Sequence, residues 1–233
     1  MTKNIAHRGF SADYPENTML AFAKALEAGC DGIELDVHLT KDKEIVIIHD
    51  ESVDRTTNGN GFIQDMTLAE LRRFDAGRGE HIPTLDEYFD LVQNTDILSN
   101  IELKNNICRY PGMEAIVIEK ILARKLLGRV ILSSFNHHSM LECQQLAPEI
   151  PCGFLTDCWL IDAGTYTERY GMEFFHPNYH SLTDEAIQEI HRSGVKINTY
   201  TVNDPDAMQR LASYKVFGII TDNPALLQKI LNN

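Results

Sequence analysis

One feature constrains the fold of this chain more than any other: short β-type runs alternate with helical patterns along its whole length. Candidate strands are Asn4–His7, Gly32–Leu39, Glu44–His49, Ile97–Leu103, Arg129–Ser133, Cys152–Leu155, Glu173–His176, Lys196–Tyr200 and Phe217–Ile220. Candidate helices lie near 17–28, 67–74, 84–93, 112–126, 137–146, 162–170, 183–193, 204–213 and 223–231. Such alternation argues for parallel strands joined by helical crossovers. In the first helix, Asn17 or Thr18 can cap the start, and Met19, Phe22, Ala23 and Leu26 repeat on one face. Gly29 suits the left-handed position just past its end.

One pair of strands breaks the alternation. Between the strand through Glu34 and the strand ending at His49 stand only Lys41-Asp42-Lys43 as a link. A parallel crossover needs a dozen residues or more, so this link predicts a β-hairpin. Pairing outward from the turn places His49 roughly opposite Glu34. With the return strand set aside, eight strands remain, the number that closes a (β/α)8 TIM barrel. The 233 residues sit close to the ~250 typical of that fold. The stretch 50–82 is irregular and too short for a robust core of its own. Together with the return strand it reads as a small insertion after the second strand, at about 44–82, packed on the barrel mouth of a single domain spanning 1–233.

Charge narrows the function. Lys and Arg number 21 against 34 Asp and Glu, a net charge of −13. That field opposes nucleic acid and anionic membrane, whose binding wants clustered Lys and Arg. It opposes a free anionic substrate too, unless a local cation or basic side chain reverses the sign. The longest apolar runs, Ile45–Ile48 and Val130–Leu132, fall far short of the ~20 residues that span a bilayer. No signal-type apolar region precedes the first strand, so neither export nor stable membrane anchoring is expected. The five cysteines are odd in number, scattered, and without a C-x-x-C pair, which fits reduced thiols in a cytoplasmic protein.

Some residues stand out against that frame. Glu34 and Asp36 lie two apart on one strand and therefore share a face, while Ile33, Leu35 and Val37 take the other. Glu102-Leu103-Lys104 repeats the device. In a barrel the inward faces of these strands meet, and three inward carboxylates repel unless protonated or neutralised by a cation. All-oxygen ligation selects a hard ion, Mg2+ or Ca2+, with Mn2+ a further option. The alternative, solvated residues on an antiparallel sheet, is weakened because a barrel interior is normally apolar. His7 and His49 each end an apolar strand, and such a pair can supply a general acid and a general base. Arg8 and Lys104 are the adjacent cations and suit a phosphate. Among the other histidines only His176, at a strand end, is kept as a substrate-contact candidate. His38, His81, His137, His138, His180 and His191 are given structural roles. Leu155–Ile161, with Trp159, reads as core or rim. No P-loop, dinucleotide-binding glycine motif, serine nucleophile elbow or H-E-x-x-H helix is present.

The ordered set His7-Arg8-Gly9, Pro15-Glu16-Asn17-Thr18, Glu34-Leu35-Asp36-Val37, His49-Asp50, Arg55-Thr56-Thr57, Ile82-Pro83-Thr84-Leu85, Ile101-Glu102-Leu103-Lys104, Thr201-Val202-Asn203 and Gly218-Ile219-Ile220-Thr221-Asp222 resembles the glycerophosphodiester phosphodiesterase family. It runs from residue 4 to about 224. The resemblance implies a TIM barrel, a divalent cation, and hydrolysis of glycerophosphodiesters to sn-glycerol 3-phosphate and an alcohol, within lipid and glycerol metabolism. Matched by motif, Glu34, Asp36 and Glu102 correspond to metal ligands, His7 and His49 to the acid–base pair, and Arg8 and Lys104 to phosphate contacts. Phe135 is similar to a family aromatic near the glycerol and Tyr200 to one near the substrate, although family members often carry Trp where Tyr200 stands. Barrel packing is the alternative for both.

Two rivals remain at this level. One is a lysophospholipase D-type phosphodiesterase, which needs an apolar groove or a basic docking face that 50–82 does not show. The other is a non-catalytic barrel that binds metal and phosphate esters, for which a proton-transfer pair has no use. No acidic-aromatic signature placed to hold a quaternary ammonium is legible, so the alcohol is expected to be read loosely.

Overall fold

The structure is a computed structural model and describes residues 1–232; Asn233 lies outside the described residues. Nine strands form one sheet: β1 (Lys3–His7), β2 (Gly32–Leu39), β3 (Ile45–Ile47), β4 (Leu98–Leu103), β5 (Val130–Ser134), β6 (Cys152–Thr156), β7 (Phe174–Pro177), β8 (Lys196–Thr199) and β9 (Gly218–Thr221). Eight of them pair in parallel, and β1 bonds to both β2 and β9, which closes the ring. The helices are α1 (Met19–Glu27), α2 (Leu68–Leu71), α3 (Leu85–Val92), α4 (Met113–Ala123), α5 (His137–Leu146), α6 (Ala163–Arg169), α7 (Asp184–Arg192), α8 (Pro205–Ser213) and α9 (Pro224–Leu231). All but α2 connect barrel strands or, in α9, follow the last one. The chain is a (β/α)8 barrel with one extra strand bonded outside the ring.

Local chemistry sets the limits of α1. Thr18, rather than Asn17, caps it, its hydroxyl accepting from the Ala21 amide at 3.2 Å. Gly29 follows the last turn at φ +76°. The buried face differs by a part-turn from the expected one: Ala21, Phe22 and Ala25 are covered, and Ala23 is only half-buried. The reason is close approach. Gly9 packs so tightly on α1 that a Cβ there would stand 2.6 Å from the Ala21 carbonyl carbon.

The hairpin forms, with β3 antiparallel to β2. β1 bonds to Gly32–Glu34 and β3 to Val37–Leu39, while β4 takes the opposite edge of β2. The return strand therefore continues the edge that β1 leaves. Its register pairs Val37 with Ile47, and the Ile48 amide donates to the Asp36 carbonyl at 3.0 Å. His49 thus comes opposite Leu35, one residue from the expected Glu34, because the turn closes with Thr40 and Glu44 paired and Lys43 left-handed at φ +68°.

The insertion has its own small core, Val46, Ile48, Val53, Ile63, Leu71, Ala76 and Ile82, separate from the main one. Two of these come from the β3 segment, so the insertion is built onto the return strand. The far edge of β3 is covered as well, the Ile47 amide donating to the Pro83 carbonyl at 2.8 Å. The hairpin is held from both sides.

Candidate active site

A cleft of about 330 Å³ opens where the strands end, lined by His7, Arg8, Glu34, His49, Glu102, Lys104, Phe135 and Tyr200 among others. This is the carboxyl end of the barrel strands, where loops can carry chemistry on a rigid frame. Two-residue alternation on β2 turns Glu34 and Asp36 inward, and on β4 it does the same for Asn100, Glu102 and, just past the strand, Lys104. In register, Asp36 stands beside Glu102. Ligand oxygens of Glu34, Asp36 and Glu102 lie within 4.8 Å of one another, and all three side chains are buried.

Burial, and then the charges of Asp36 and Glu102, push the Glu34 carboxyl well above the ordinary carboxylate range. Burial also lifts Glu102, against the pull of Lys104, to about 7. Burial would raise Asp36 too, but Arg8 and Lys104 hold it down at about 2. The trio carries more negative charge than its surroundings neutralise. Each member is oriented: Asn17 donates to Asp36 at 2.8 Å, the Arg8 amide to Glu34 at 3.1 Å, and Lys104 to Glu102 at 2.8 Å. Three hard oxygen donors on two adjacent strands, short of counter-charge, fit a divalent cation.

The histidines flank this trio. His7 ends β1, and its Nδ1 meets Asp222 Oδ1 at 2.6 Å, while Nε2 lies 4.0 Å from Glu34. His49 follows β3, and its Nδ1 meets Asp50 Oδ1 at 2.6 Å. Lys104 has only donors, so the His49 Nε2 that it meets at 3.2 Å is an acceptor, which puts the ring proton on Nδ1. Burial, with help from Lys104 and Arg8, lowers the His49 pKa. Each imidazole has a carboxylate behind it and lines the cleft, the arrangement that fixes a tautomer for proton transfer.

Several residues that sequence reasoning left without a role join the site. Arg8 donates to Glu16 at 2.8 Å, Arg55 donates to Glu16 at 2.8 and 3.0 Å, and Arg55 also grips Asp50 at 2.7 and 3.0 Å. That chain of charges links the end of β1 to the insertion and to His49. Arg8 and Asn17 themselves sit in the left-handed region, at φ +55° and +57°, and the Asn17 amide donates to the Arg8 carbonyl at 2.9 Å. Non-glycine residues adopt that region at a cost, and they cluster where surroundings enforce it. Asp222 is held by Ser11 at 3.0 Å and Asn203 at 2.6 Å. Arg8 was expected only as a phosphate contact and Asn17 only as a helix cap; Glu16, Asp50, Arg55, Asn203 and Asp222 stand in the quoted motifs, but no local pattern gave them a task, and Ser11 lies outside those motifs.

Phe135 and Tyr200 both reach the cleft, their rings 6.2 Å apart and nearly perpendicular. Asp157, which the sequence did not single out, lies beside them and accepts from the Tyr200 hydroxyl at 3.0 Å. An acidic-aromatic group therefore exists, assembled from three separate strand ends and so illegible as a run.

His176 requires correction. It is fully buried in the barrel interior and does not line the cleft, so it is no substrate contact. Its Cα pairs with Leu155, which does line the cleft, but the His176 ring turns down the barrel to rest where a Cβ on Gly153 would stand. His38 keeps the structural role, its ring bridging the Tyr110 hydroxyl at 2.9 Å and the His49 carbonyl at 3.1 Å.

The profile of the Glycerophosphoryl diester phosphodiesterase family matches residues 7–226. The chain belongs to that family. It is 45% identical over 230 residues to a protein named Glycerophosphodiester phosphodiesterase from Caldanaerobacter subterraneus subsp. tengcongensis, covering 96% of this chain and 95% of that one. It is 38% identical over 278 residues to human Lysophospholipase D GDPD1, covering 100% of this chain and 87% of that one. Among solved structures, an Oleispira antarctica phosphodiesterase in complex with the product sn-glycerol-3-phosphate superposes with a TM-score of 0.87 at 28% identity, covering 98% of this chain and 96% of that one. Family membership makes the chain a phosphoric diester hydrolase, as the ordered motifs implied. The family profile starts at His7 and ends just past Asp222, so both members of that hydrogen-bonded pair fall within it.

Proposed function

We propose that the protein hydrolyses glycerophosphodiesters to sn-glycerol 3-phosphate and an alcohol, with a divalent cation as cofactor and His7 and His49 as the acid–base pair. One observation carries this: a single cleft joins the three clustered carboxylates, two carboxylate-backed imidazoles and two basic side chains. Glu34, Asp36 and Glu102 would hold the cation, Mg2+ or Ca2+, with Mn2+ a further candidate. When bound, the cation neutralises charge that builds on phosphoryl oxygens. Arg8 and Lys104 bind and orient the phosphate. One imidazole takes the proton of the nucleophile and the other gives a proton to the leaving alcohol. With water as nucleophile this yields sn-glycerol 3-phosphate directly; with the glycerol 2-hydroxyl it yields a cyclic phosphate, which water then opens to the same product with the roles of the two imidazoles reversed. Asp222 and Asp50 hold the rings so that each Nε2 serves the substrate.

A cytoplasmic setting belongs to the same proposal and draws on five unpaired thiols. Among the described residues no helix is long and apolar enough to cross a membrane. The net charge of −13 gives nucleic acid no purchase. We take the chain as one working unit, with the insertion at 44–82 holding His49.

A second reading, with lysophospholipid as substrate, is favoured by the rim. Trp159, Leu160 and Ile161 are 67%, 37% and 84% exposed on the loop that follows Asp157. Release of sn-glycerol 3-phosphate from glycerophosphoethanolamine, with and without chelator, tests the main reading. Faster turnover of lysophosphatidylethanolamine would replace it with the second. Absence of turnover on both would leave a binding barrel.

A further inference from the structure

We infer that His38 and Tyr110 act as a latch that fixes the height of His49 over the acidic trio, which makes both of them positioning residues for the proton transfer assigned to His49. This rests on the phosphodiesterase reading above and adds to it what holds one of the two imidazoles in place.

β2 carries three polar residues at alternate positions, Glu34, Asp36 and His38, and alternate positions share a face. His38 is fully buried and does not line the cleft, so it meets no substrate. It meets the backbone of His49 instead. The hairpin ladder stops one residue short of His49, with the Ile48 amide donating to the Asp36 carbonyl at 3.0 Å. At His49 the support passes from backbone to side chain: His38 Nε2 donates to the His49 carbonyl at 3.1 Å. A carbonyl only accepts, so the proton of the neutral His38 ring stands on Nε2, and Nδ1 accepts from the Tyr110 hydroxyl at 2.9 Å. Tyr110 is itself buried and lies on the segment between β4 and α4. Its ring meets that of His38 edge-on, at 85° and 5.7 Å. The bond from Tyr110 holds the His38 ring in the orientation that presents its donor to His49.

His49 is thereby held at three places. Its Nδ1 meets Asp50, its carbonyl meets His38, and its Nε2 meets Lys104 at 3.2 Å. Asp50 is the next residue and travels with it. The bond to Lys104 opens when Nε2 turns to the substrate. The bond to the carbonyl stays in place throughout and ties the His49 backbone to a strand of the barrel. A displacement of about 1 Å at a reacting group can cost about 100-fold in rate. One backbone hydrogen bond can therefore govern the rate without touching the reactants.

The test follows glycerophosphoethanolamine turnover and, by calorimetry, cation affinity. His38→Leu keeps bulk without the donor and should lower kcat by about 10–100-fold, with KM and cation affinity unchanged. His38→Gln offers an amide N–H in place of Nε2 and should recover most of that loss. Tyr110→Phe deletes one hydroxyl and should fall between the two. In a His49→Ala background, His38→Leu should lower kcat no further, because it acts through the imidazole already removed. Additive losses in that background, a rate in His38→Gln as low as in His38→Leu, or a parallel fall in cation affinity would each overturn the latch. Should His38→Leu not fold, the other two changes decide: full activity in Tyr110→Phe would overturn it. Wild-type turnover keeps the two levels apart: with it, a failure sinks only the latch; without it, the phosphodiesterase reading falls and the latch with it.

Discussion

The His7 imidazole and the Asp222 carboxylate, 215 residues apart in sequence, meet at 2.6 Å. They do so because β1 and β9 are neighbours, with Ala6 paired to Thr221, where the barrel closes on itself. Ring closure is therefore part of the proton-transfer apparatus in the proposed reaction. His49 obtains the same support locally, from Asp50, the next residue.

Removing either histidine should lower kcat by about 10²–10⁴-fold, the usual worth of a general acid or base. Asp222→Asn and Asp50→Asn should each lower kcat by less than the matching histidine change, because they disturb the tautomer and orientation but leave the ring. Steady-state kinetics with KM tracked separately check this. Loss confined to KM would show that the carboxylates serve binding alone.

The acidic trio predicts an unusual pH response without metal. Glu102, raised to about 7 from an ordinary 4.5, keeps its proton longer in the folded chain, and Glu34 shifts the same way. That contribution to stability is fully present below about pH 4.5 and is lost as pH rises toward 7. Divalent cation should restore it, with proton uptake by buffer on binding. Melting curves in chelator and in Mg2+ or Ca2+ should therefore diverge more at pH 7.5 than at pH 5. Glu34→Ala, Asp36→Ala and Glu102→Ala should each abolish activity and the cation-dependent rise in Tm, yet fold.

The hairpin predicts a separation of effects. Its turn is fixed by Thr40, whose hydroxyl accepts from the Glu44 amide at 2.9 Å, and by Asp42, which accepts from the Leu68 amide at 3.0 Å. Two glycines inserted after Asp42 should loosen His49 while leaving Glu34, Asp36 and Glu102 in place. The rate should fall more than cation affinity does. Equal loss of both would mean that the hairpin supports the whole trio.

His176 predicts an acid limb of stability. Burial lowers its pKa from 6.5 to about 3, and neither ring nitrogen has a hydrogen-bond partner among the described residues. A depressed histidine stabilises the fold above pH 6.5, and that stability is lost as pH falls toward 3, when only the unfolded chain takes the proton. His176→Leu removes the titration and two unsatisfied polar atoms. Between pH 6 and 4, at constant cation, its stability should fall less steeply than that of wild type by about 1.4 kcal/mol per pH unit. Urea unfolding across that range measures the slopes; parallel slopes would contradict the assignment.

Much of this was legible in the sequence because period and spacing are local properties. Strand–helix alternation led to the barrel, and the three-residue link Lys41–Lys43 to the antiparallel return. The i, i+2 spacing of Glu34 with Asp36 put two carboxylates on one face. What stayed hidden depends on closure and register. Asp222 reaches His7 only across the seam of the ring. Asp157, Tyr200 and Phe135 meet only because three strands end at one level. His176 looked like His7, each ending an apolar run, but its ring turns down into the space that Gly153, lacking a side chain, leaves open. Thr18 rather than Asn17 caps α1 because Asn17 is drawn away to Asp36.

The central claim is that the buried trio binds one divalent cation on which turnover depends. Titration of cation-free protein with Mg2+ or Ca2+, followed by calorimetry and by release of sn-glycerol 3-phosphate under the same conditions, tests it most directly. The account predicts one site per chain, activity that rises in step with its occupancy, and loss of both binding and activity in Glu102→Ala. Full turnover in chelator with no cation bound, or unchanged binding in Glu102→Ala, would contradict it.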